Sequence, residues 1–308
     1  MSLSLVIVNW NSKVFLRKCI HSVQKMSPQL LNQIVVVDSG SFDGCARILA
    51  EEFPKVQFVQ SFDNLGFGES NNLGFKYVTG EYLLLLNPDT EVKPNAVEVL
   101  LEALQKHPTA GLVAPRLINT DGSLQTSCVQ ALPTPLNQAL DADFFRRIFP
   151  KSRLWGTWDA FSSTEPVKVE AVSGACMLLR SELFRKAGGF NPEFFMYAED
   201  MDLCAKIRRL GLDVYHVPGA KVLHHGGGSS SGSSGKLNTI MMREALETYM
   251  RINHGNGTAI VYRILQGISA LFRIGLLIPL TLKDSRKVSI RGSVWKWWYV
   301  LTWALGVN

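Results

Sequence analysis

A chain of 308 residues with 46% hydrophobic and 19% charged residues can bury a sizeable core, which excludes a disordered polypeptide. The net charge of +6 is unevenly placed: residues 1–235 hold 22 Lys/Arg against 23 Asp/Glu, and residues 236–308 hold 10 against 3. The five cysteines (Cys19, Cys45, Cys128, Cys176 and Cys204) are odd in number and form no C-x-x-C, so neither a disulfide framework nor a thiolate zinc site is expected. A reducing cytoplasm fits this pattern. The chain opens directly into a strand-like run with no basic region before it, and no signal peptide and no nucleic-acid partner are expected.

The first hundred residues alternate strand and helix patterns. Leu5–Val8, Ile34–Val37, Val56–Gln60 and Tyr82–Leu86 are short apolar runs; Val14–Met26, Ala46–Phe53 and Ser70–Tyr77 separate them with helical spacing. In Val14–Met26 the spacing runs through Phe15, Cys19, Ile20 and Val23. Such alternation predicts an α/β fold with a mainly parallel sheet covered on both faces. Polar clusters follow three of the runs: Asn9-Trp-Asn11, Asp38-Ser-Gly-Ser-Phe-Asp43 and Asn87-Pro-Asp89. Ligands of open α/β sheets bind outside the carboxyl ends of the strands, where these clusters converge.

Farther on, Pro133–Pro166 is loop-rich, with aromatics at Phe144, Phe145, Trp155, Trp158 and Phe161. Val169–Arg180 reads as a strand, Ser181–Ala187 as a short helix ended by Gly188-Gly189, and Asp200–Leu210 as a helix. Gly226–Gly235 is a flexible low-complexity segment. It sets the expected boundary between a catalytic domain, 1–235, and a helical tail, 236–308.

Asp89 follows the most hydrophobic strand, where a carboxylate suits a divalent cation, Mg2+ or Mn2+, that stabilises charge on a departing diphosphate. Asn-Pro-Asp is equally the sequence of a β-turn leading into a helix cap. Asp38 is placed to accept hydrogen bonds from a base or ribose, or to form an Asx-turn with Ser39–Ser41. Asn64-Leu-Gly-Phe-Gly-Glu-Ser-Asn-Asn72 joins permissive glycines to amides that suit phosphate or base, or a plain loop and cap. No P-loop and no G-x-G-x-x-G follows the first strand, which gives no support to a dehydrogenase, a kinase or a nucleotidyltransferase. Glu199, Asp200 and Asp202 open a helix behind Phe194, Phe195 and Tyr197. That apolar setting raises a carboxylate pKa toward that of a general base. His224 suits a cation or diphosphate, or a structural role, as does His225.

Together these stretches resemble the family 2 glycosyltransferases, especially the bacterial rhamnosyltransferase-like branch. The matching blocks are Val6–Asn11, Val35–Gly44, Asn64–Gly74, Leu85–Asp89, Val172–Arg180, Gly188–Leu203 and His224–Gly228, seven in the family's order over residues 3–230. The resemblance implies an inverting enzyme of GT-A fold. It implies that Asp38 contacts the donor base, with Asn9, Asn11, Ser41, Asn64, Gly66, Phe67, Asn71, Asn87 and Gly174 around the nucleotide-sugar. Of the family's D-x-D metal element, Asn87 replaces the first carboxylate and Asp89 is retained. Asp200 maps onto the catalytic base, assisted by Glu199, with Phe195, Tyr197 and Asp202 in the acceptor pocket. A dTDP- or UDP-linked donor, L-rhamnose among its sugars, and a glycan or polyprenyl-diphosphate-linked acceptor follow. The rival reading is a catalytically silent nucleotide-sugar-binding scaffold, which would tolerate loss of Asp89 and Asp200.

In the tail, Thr258–Leu282 is apolar except for Arg263, Gln266 and Arg273, which share one side of a helix. Uncharged runs of nine residues flank Arg273, short of the ~20 needed to span a bilayer. An amphipathic helix lying in the membrane surface is expected, or a hairpin packed on protein. Lys283–Arg291 is basic, and four of the seven tryptophans fall within Trp295–Trp303. A cytoplasmic protein held peripherally on the inner membrane is the expectation.

Overall fold

The computed structural model describes residues 2–140, 149, 152, 157–226, 235–283 and 287–307. Phe144, Phe145, Trp155 and most of Gly226–Gly235 lie outside them. The strands are β1 (Leu3–Asn9), β2 (Leu31–Ser39), β3 (Gln57–Ser61), β4 (Tyr82–Leu86), β5 (Thr90–Val92), β6 (Ala110–Ile118), β7 (Val129–Gln130), β8 (Val167–Val169), β9 (Ala171–Val172), β10 (Cys176–Arg180) and β11 (Asp213–His224). The helices of the same part are α1 (Lys13–Met26), α2 (Cys45–Glu52), α3 (Gly66–Phe75), α4 (Ala96–Lys106), α5 (Pro135–Leu140), α6 (Trp158–Ser162), α7 (Ser181–Lys186) and α8 (Glu199–Arg209).

The main sheet runs β3-β2-β1-β4-β10-β6-β11-β5, with β8 also on β11. β3, β2, β1 and β4 are parallel to one another, and β10 is antiparallel to both β4 and β6. Every residue of β1 and β4 is buried, because helices cover both faces and the strands carry apolar side chains on both sides. The lateral register sets the functional edge: Asn9 lies opposite Asp38, Asp38 opposite Gln60, and Leu86 opposite Cys176. The carboxyl ends of four parallel strands and the start of β10 therefore stand side by side.

Two sequence expectations need revision. Val169–Arg180 is not one strand but β8, β9 and β10, with Ser173–Ala175 turning between the last two. Phe15 is only half-buried, its ring 5.1 Å from that of His225, and Leu16 takes the core position beside Cys19, Ile20 and Val23. The expected helices at Ala46–Phe53 and Ser70–Tyr77 begin earlier, at Cys45 and Gly66. All five cysteines are free and buried.

The chain divides into two compact units. The first holds described residues 2–132, 157–195 and 199–226. The second takes the C-terminal helices α9 (Gly235–His254), α10 (Asn256–Lys283) and α11 (Lys287–Ala304). It also takes α5 and residues 196–198, so the appendage draws on more than the tail.

Helix α3 lies against β1 and β2 at Gly74, where a Cβ would sit 2.6 Å from Val6 Cγ1 and 3.0 Å from Val37 Cγ2. Gly74→Ala overpacks this contact and is expected to cost about 1–3 kcal/mol, read as a lower Tm in thermal melts. An unchanged Tm would mean that α3 can lift away from the sheet freely.

Candidate active site at the carboxyl edge of the sheet

At the end of β2, Asp38 is fully buried. Its carboxylate accepts from Asn9 Nδ2 at 2.7 Å, Ser41 Oγ at 2.5 Å, the Phe42 N–H at 3.1 Å and Gln60 Nε2 at 2.8 Å. Burial works against its ionisation, but the bonds from Ser41, Gln60, Asn9 and Phe42 together outweigh it and hold the pKa below the ordinary value. A carboxylate offers about four acceptor positions, and these donors fill them. Direct contact of a base with Asp38 therefore requires Ser41 or Gln60 to turn away.

Asp43 and Cys45 bring ligand atoms within 4.8 Å of Asp38. Those groups are already engaged: Asp43 accepts from Asn9 and from the Lys13 and Cys45 N–H groups. Burial first, then the charges of Asp38 and Asp43, drives the Cys45 thiol pKa upward, so it stays protonated. This trio is a poor cation site.

A better donor set sits after β4. Asp89 is 4% exposed, and its Oδ1 lies 3.2 Å from His224 Nε2 at the end of β11. His224 Nδ1 is 2.7 Å from Gln125 Oε1, while Gln125 Nε2 donates to Asn119 Oδ1. With its amide nitrogen committed to Asn119, Gln125 presents a carbonyl to His224. Nδ1 therefore donates to Gln125, and Nε2 is the ring nitrogen that faces Asp89. Asn87 Oδ1, on the same turn, is buried without a hydrogen-bond partner among the described residues. Carboxylate, amide oxygen and imidazole make a set suited to Mg2+ or Mn2+. The adjacent His225 is held structurally, its N–H on the Asp89 carbonyl at 2.9 Å and Nε2 at 2.8 Å from Glu91 Oε1.

Asp200 begins α8. Its Oδ2 accepts the Gly174 N–H at 3.0 Å and its Oδ1 the Met201 N–H at 2.8 Å. Burial raises its pKa, and those backbone bonds oppose the rise without cancelling it. Gly174 is hemmed in, since a Cβ there would meet the Phe67 ring at 3.1 Å and Asp200 Cβ at 3.4 Å. The next residue, Ala175, accepts the Asn87 N–H at 2.9 Å. Two backbone bonds thus tie Asp200 to the Asn87–Asp89 turn.

Glu199 is buried, and burial first, then the charge of Asp200, pushes its pKa up to about 8. Its Oε2 has no hydrogen-bond partner among the described residues. Asp202 is fully buried and paired with Lys206 at 3.1 Å, within its own helix. Tyr197 and Ala198, just before Glu199, both hold left-handed backbone, φ 73° and 63°. Non-glycine residues rarely adopt that conformation, and strain of this kind gathers at functional sites.

The Asn64–Asn72 stretch forms a short turn and most of α3, which packs against the segment before α8. Asn64 Oδ1 accepts the Gly66 N–H at 3.0 Å, and Asn71 Nδ2 donates to the Phe67 carbonyl of its own helix. A Cβ at Gly66, where φ is 74°, would collide with the Phe195 carbonyl, which also accepts the Phe67 N–H at 3.1 Å. Asn72 clamps Phe190 through both its N–H and its carbonyl, at 2.9 and 2.8 Å. The Phe195 side chain is 45% exposed. Asn11 is exposed and left-handed, φ 51°, beside Lys13 and Asp43. Gln60 and Gln125 were not among the sequence candidates, and Asp43 and Asn72 figured only as the ends of polar stretches. Gln60 meets Asp38 only through the pairing of β3 with β2, and Gln125 meets His224 across 99 residues, so neither contact had a signal in the sequence.

The sheet order and its polar carboxyl edge define a GT-A type fold. Solved structures of that kind superpose on the chain. A mannosyltransferase from Pyrobaculum calidifontis in complex with GDP-Man and Mn2+ gives a TM-score of 0.60 at 16% identity, covering 99% of this chain and 86% of that one. GalNAc-T7 with UDP, GalNAc and Mn2+ gives 0.59 at 20% identity, covering 82% and 48%. Residues 4–187 match Glycosyl transferase family 2, and the chain belongs to that family. Among named relatives, the N-acetylglucosaminyl-diphospho-decaprenol L-rhamnosyltransferase of Mycobacterium tuberculosis H37Rv is 29% identical over 205 residues, 62% of this chain and 66% of that protein. The match thus spans just under two thirds of that relative's length. The hexosyltransferase Agl10 of low-salt glycan biosynthesis in Haloferax volcanii is 24% identical over 229 residues, 72% of this chain and 67% of that protein.

The raised pKa of Glu199 makes stability depend on pH. Folding holds a proton that the unfolded chain releases, so this contribution is complete below the ordinary value of 4.5 and is lost as pH rises through about 8. Glu199→Gln should gain on the wild type at alkaline pH and lose that advantage at acidic pH, in urea titrations at the two extremes. An equal difference at both would show that Glu199 ionises freely.

Proposed function

We propose that the chain moves a sugar, L-rhamnose foremost, from a dTDP- or UDP-linked donor to a hydroxyl of a glycan or polyprenyl-diphosphate-linked saccharide, with inversion at the anomeric carbon. The observation that carries this reading is the backbone tie between Asp200 and the Asn87–Asp89 turn through Gly174 and Ala175. This tie links a carboxylate of raised pKa to the turn that carries a donor set suited to a cation and its diphosphate, which supports the reading.

Asp200 receives the acceptor hydroxyl's proton as the oxygen attacks the anomeric carbon and the nucleoside diphosphate leaves. Burial suits it to this role by making its carboxylate more basic than in water. Glu199, protonated near neutrality, adds no second negative charge beside it. Asp89 and His224, with Asn87, would hold Mg2+ or Mn2+, which when bound supplies Lewis-acid stabilisation of the departing diphosphate. Asn9, Ser41 and Gln60 hold Asp38 and the Ser41–Phe42 turn as one wall of the nucleoside site. The mycobacterial relative's name specifies a decaprenol-linked acceptor, which supports a lipid-linked acceptor here and a cytoplasmic chain in contact with the membrane through its tail.

Asp200→Asn should lower transfer by about 10²–10⁴-fold. Its nucleotide affinity should be unchanged, as measured by nucleoside diphosphate release and by calorimetry. Transfer at the wild-type rate would remove Asp200 from the role, and wild-type protein that releases no nucleoside diphosphate with any donor would favour the silent scaffold. Gln125→Leu removes the carbonyl that sets the His224 tautomer. It should weaken Mn2+ binding by about 10–100-fold in calorimetry without nucleotide. Unaltered Mn2+ affinity would place the cation elsewhere.

A further inference from the structure

In the second unit, α10 is built with its polarity reversed. Arg263 turns inward, with Nη1 3.2 Å from Glu247 and Nη2 and Nε donating to the Trp303 and Ala304 carbonyls at 2.7 and 3.2 Å. It thereby caps the C-terminal end of α11. Arg273 lies 4.1 Å from the centre of the Trp297 ring and donates to the Ala139 carbonyl, which Ser269 also reaches. Gln266 is fully buried, and neither amide atom has a hydrogen-bond partner among the described residues. The polar stripe that sequence placed toward lipid head groups is the inside of the bundle.

The outside is apolar. Ile260, Val261, Ile264, Ile268, Leu271, Phe272, Leu276 and Ile278 are each 49–64% exposed. At 3.6 residues per turn they fall within an arc of roughly 160°. Every exposed described residue from Ile260 to Pro279 is apolar, glycine or proline. On α11, Trp295 and Trp298 are exposed on either side of Lys296, itself exposed.

Water and a second copy of the chain explain this face poorly. A helical hairpin in water turns its arginines out and its isoleucines in. An interface between copies has an apolar centre and a polar rim, whereas no described residue from Ile260 to Pro279 that is exposed is polar. From Ile260 to Ile278 the stripe is about 27 Å long at 1.5 Å per residue, close to the ~30 Å of a bilayer's hydrocarbon. Asn256–Pro279 is the one helix among the described residues long and apolar enough to cross a membrane. Leaving out Arg263 and Arg273, residues 236–308 still hold 8 Lys/Arg against 3 Asp/Glu, an excess that matches anionic lipid.

We propose that the outward face of α10, from Ile260 to Ile278, lies among the acyl chains of an anionic bilayer, with Arg263 and Arg273 turned away from the lipid into the bundle. This rests on the membrane-contact part of the function proposed above and not on its chemistry. It differs from a helix held by basic side chains on head groups, because the contact is made by the side opposite the arginines.

The five native cysteines are buried, so single cysteines can be labelled selectively in the full chain. Ile264→Cys, Phe272→Cys and, on the exposed surface of the first unit, Lys76→Cys are coupled to an environment-sensitive fluorophore and mixed with phosphatidylcholine–phosphatidylglycerol vesicles. The expected result is a blue shift at positions 264 and 272, quenched by lipids brominated on their acyl chains, and no change at 76. Flotation with both probes unshifted would overturn the insertion while leaving a membrane contact by other residues. Probes already blue-shifted without lipid, in a protein of dimer mass, would overturn it in favour of a second copy. Absence of flotation would remove membrane contact itself, and nucleoside diphosphate release would then still report on the transferase.

Discussion

A carboxylate taken out of water must be given donors, a cation or a proton, and the carboxyl edge of this sheet shows each remedy. Asp38 has four donors and stays ionised. Asp202 has Lys206. Asp89 faces His224 at a distance that admits a shared proton or a shared cation. Asp200 has two backbone N–H groups, which is less than its burial demands, and Glu199 has fewer still and keeps its proton to about 8. This ordering separates the acids into those that hold the loops and those whose charge is available for chemistry. Three carboxylates within one turn of α8 would otherwise repel one another. Because each is compensated differently, only one needs to act as a base.

Much of this edge was readable before any coordinates. Fully apolar runs such as Tyr82–Leu86 mark strands covered on both faces, and the polar residues that end them lie on the ligand side. Strand register was not readable. The pairing of Asp38 with Gln60 depends on β3 lying beside β2, and the Gln125–His224 contact joins residues 99 apart. The division of Val169–Arg180 was hidden for a different reason. Its apolar composition suits one strand, and the turn at Ser173–Ala175 goes with long-range contacts of Gly174 to Phe67 and Asp200 that the local sequence does not show. Likewise, Asn64 and Asn71 carry the same amide as a ligand-binding residue, yet each is engaged with nearby backbone, Asn64 in its turn and Asn71 within α3.

In the tail, periodicity showed that Arg263, Gln266 and Arg273 share a side but not which side faces out. An amphipathic pattern is symmetric in that respect: the apolar arc can be the core or the surface, and the surrounding medium decides. Nine uncharged residues on either side of Arg273 are too few to span a bilayer when the arginine is counted as exposed. Once its guanidinium stacks on Trp297 and reaches the Ala139 carbonyl, the charge no longer interrupts the outer face.

The two units therefore place polar groups in their interiors for different reasons. In the first, Asn87 Oδ1 and Glu199 Oε2 lack hydrogen-bond partners among the described residues at an edge where strands and turns converge on the place a ligand would occupy. A buried polar atom is costly, and one beside a candidate binding site has a natural partner in what binds there. In the second, Gln266 is enclosed within a helical bundle on the side of α10 opposite its apolar outward face. Its cost is not offset by any catalytic need. It becomes tolerable where the alternative, turning the amide outward, would expose it to hydrocarbon.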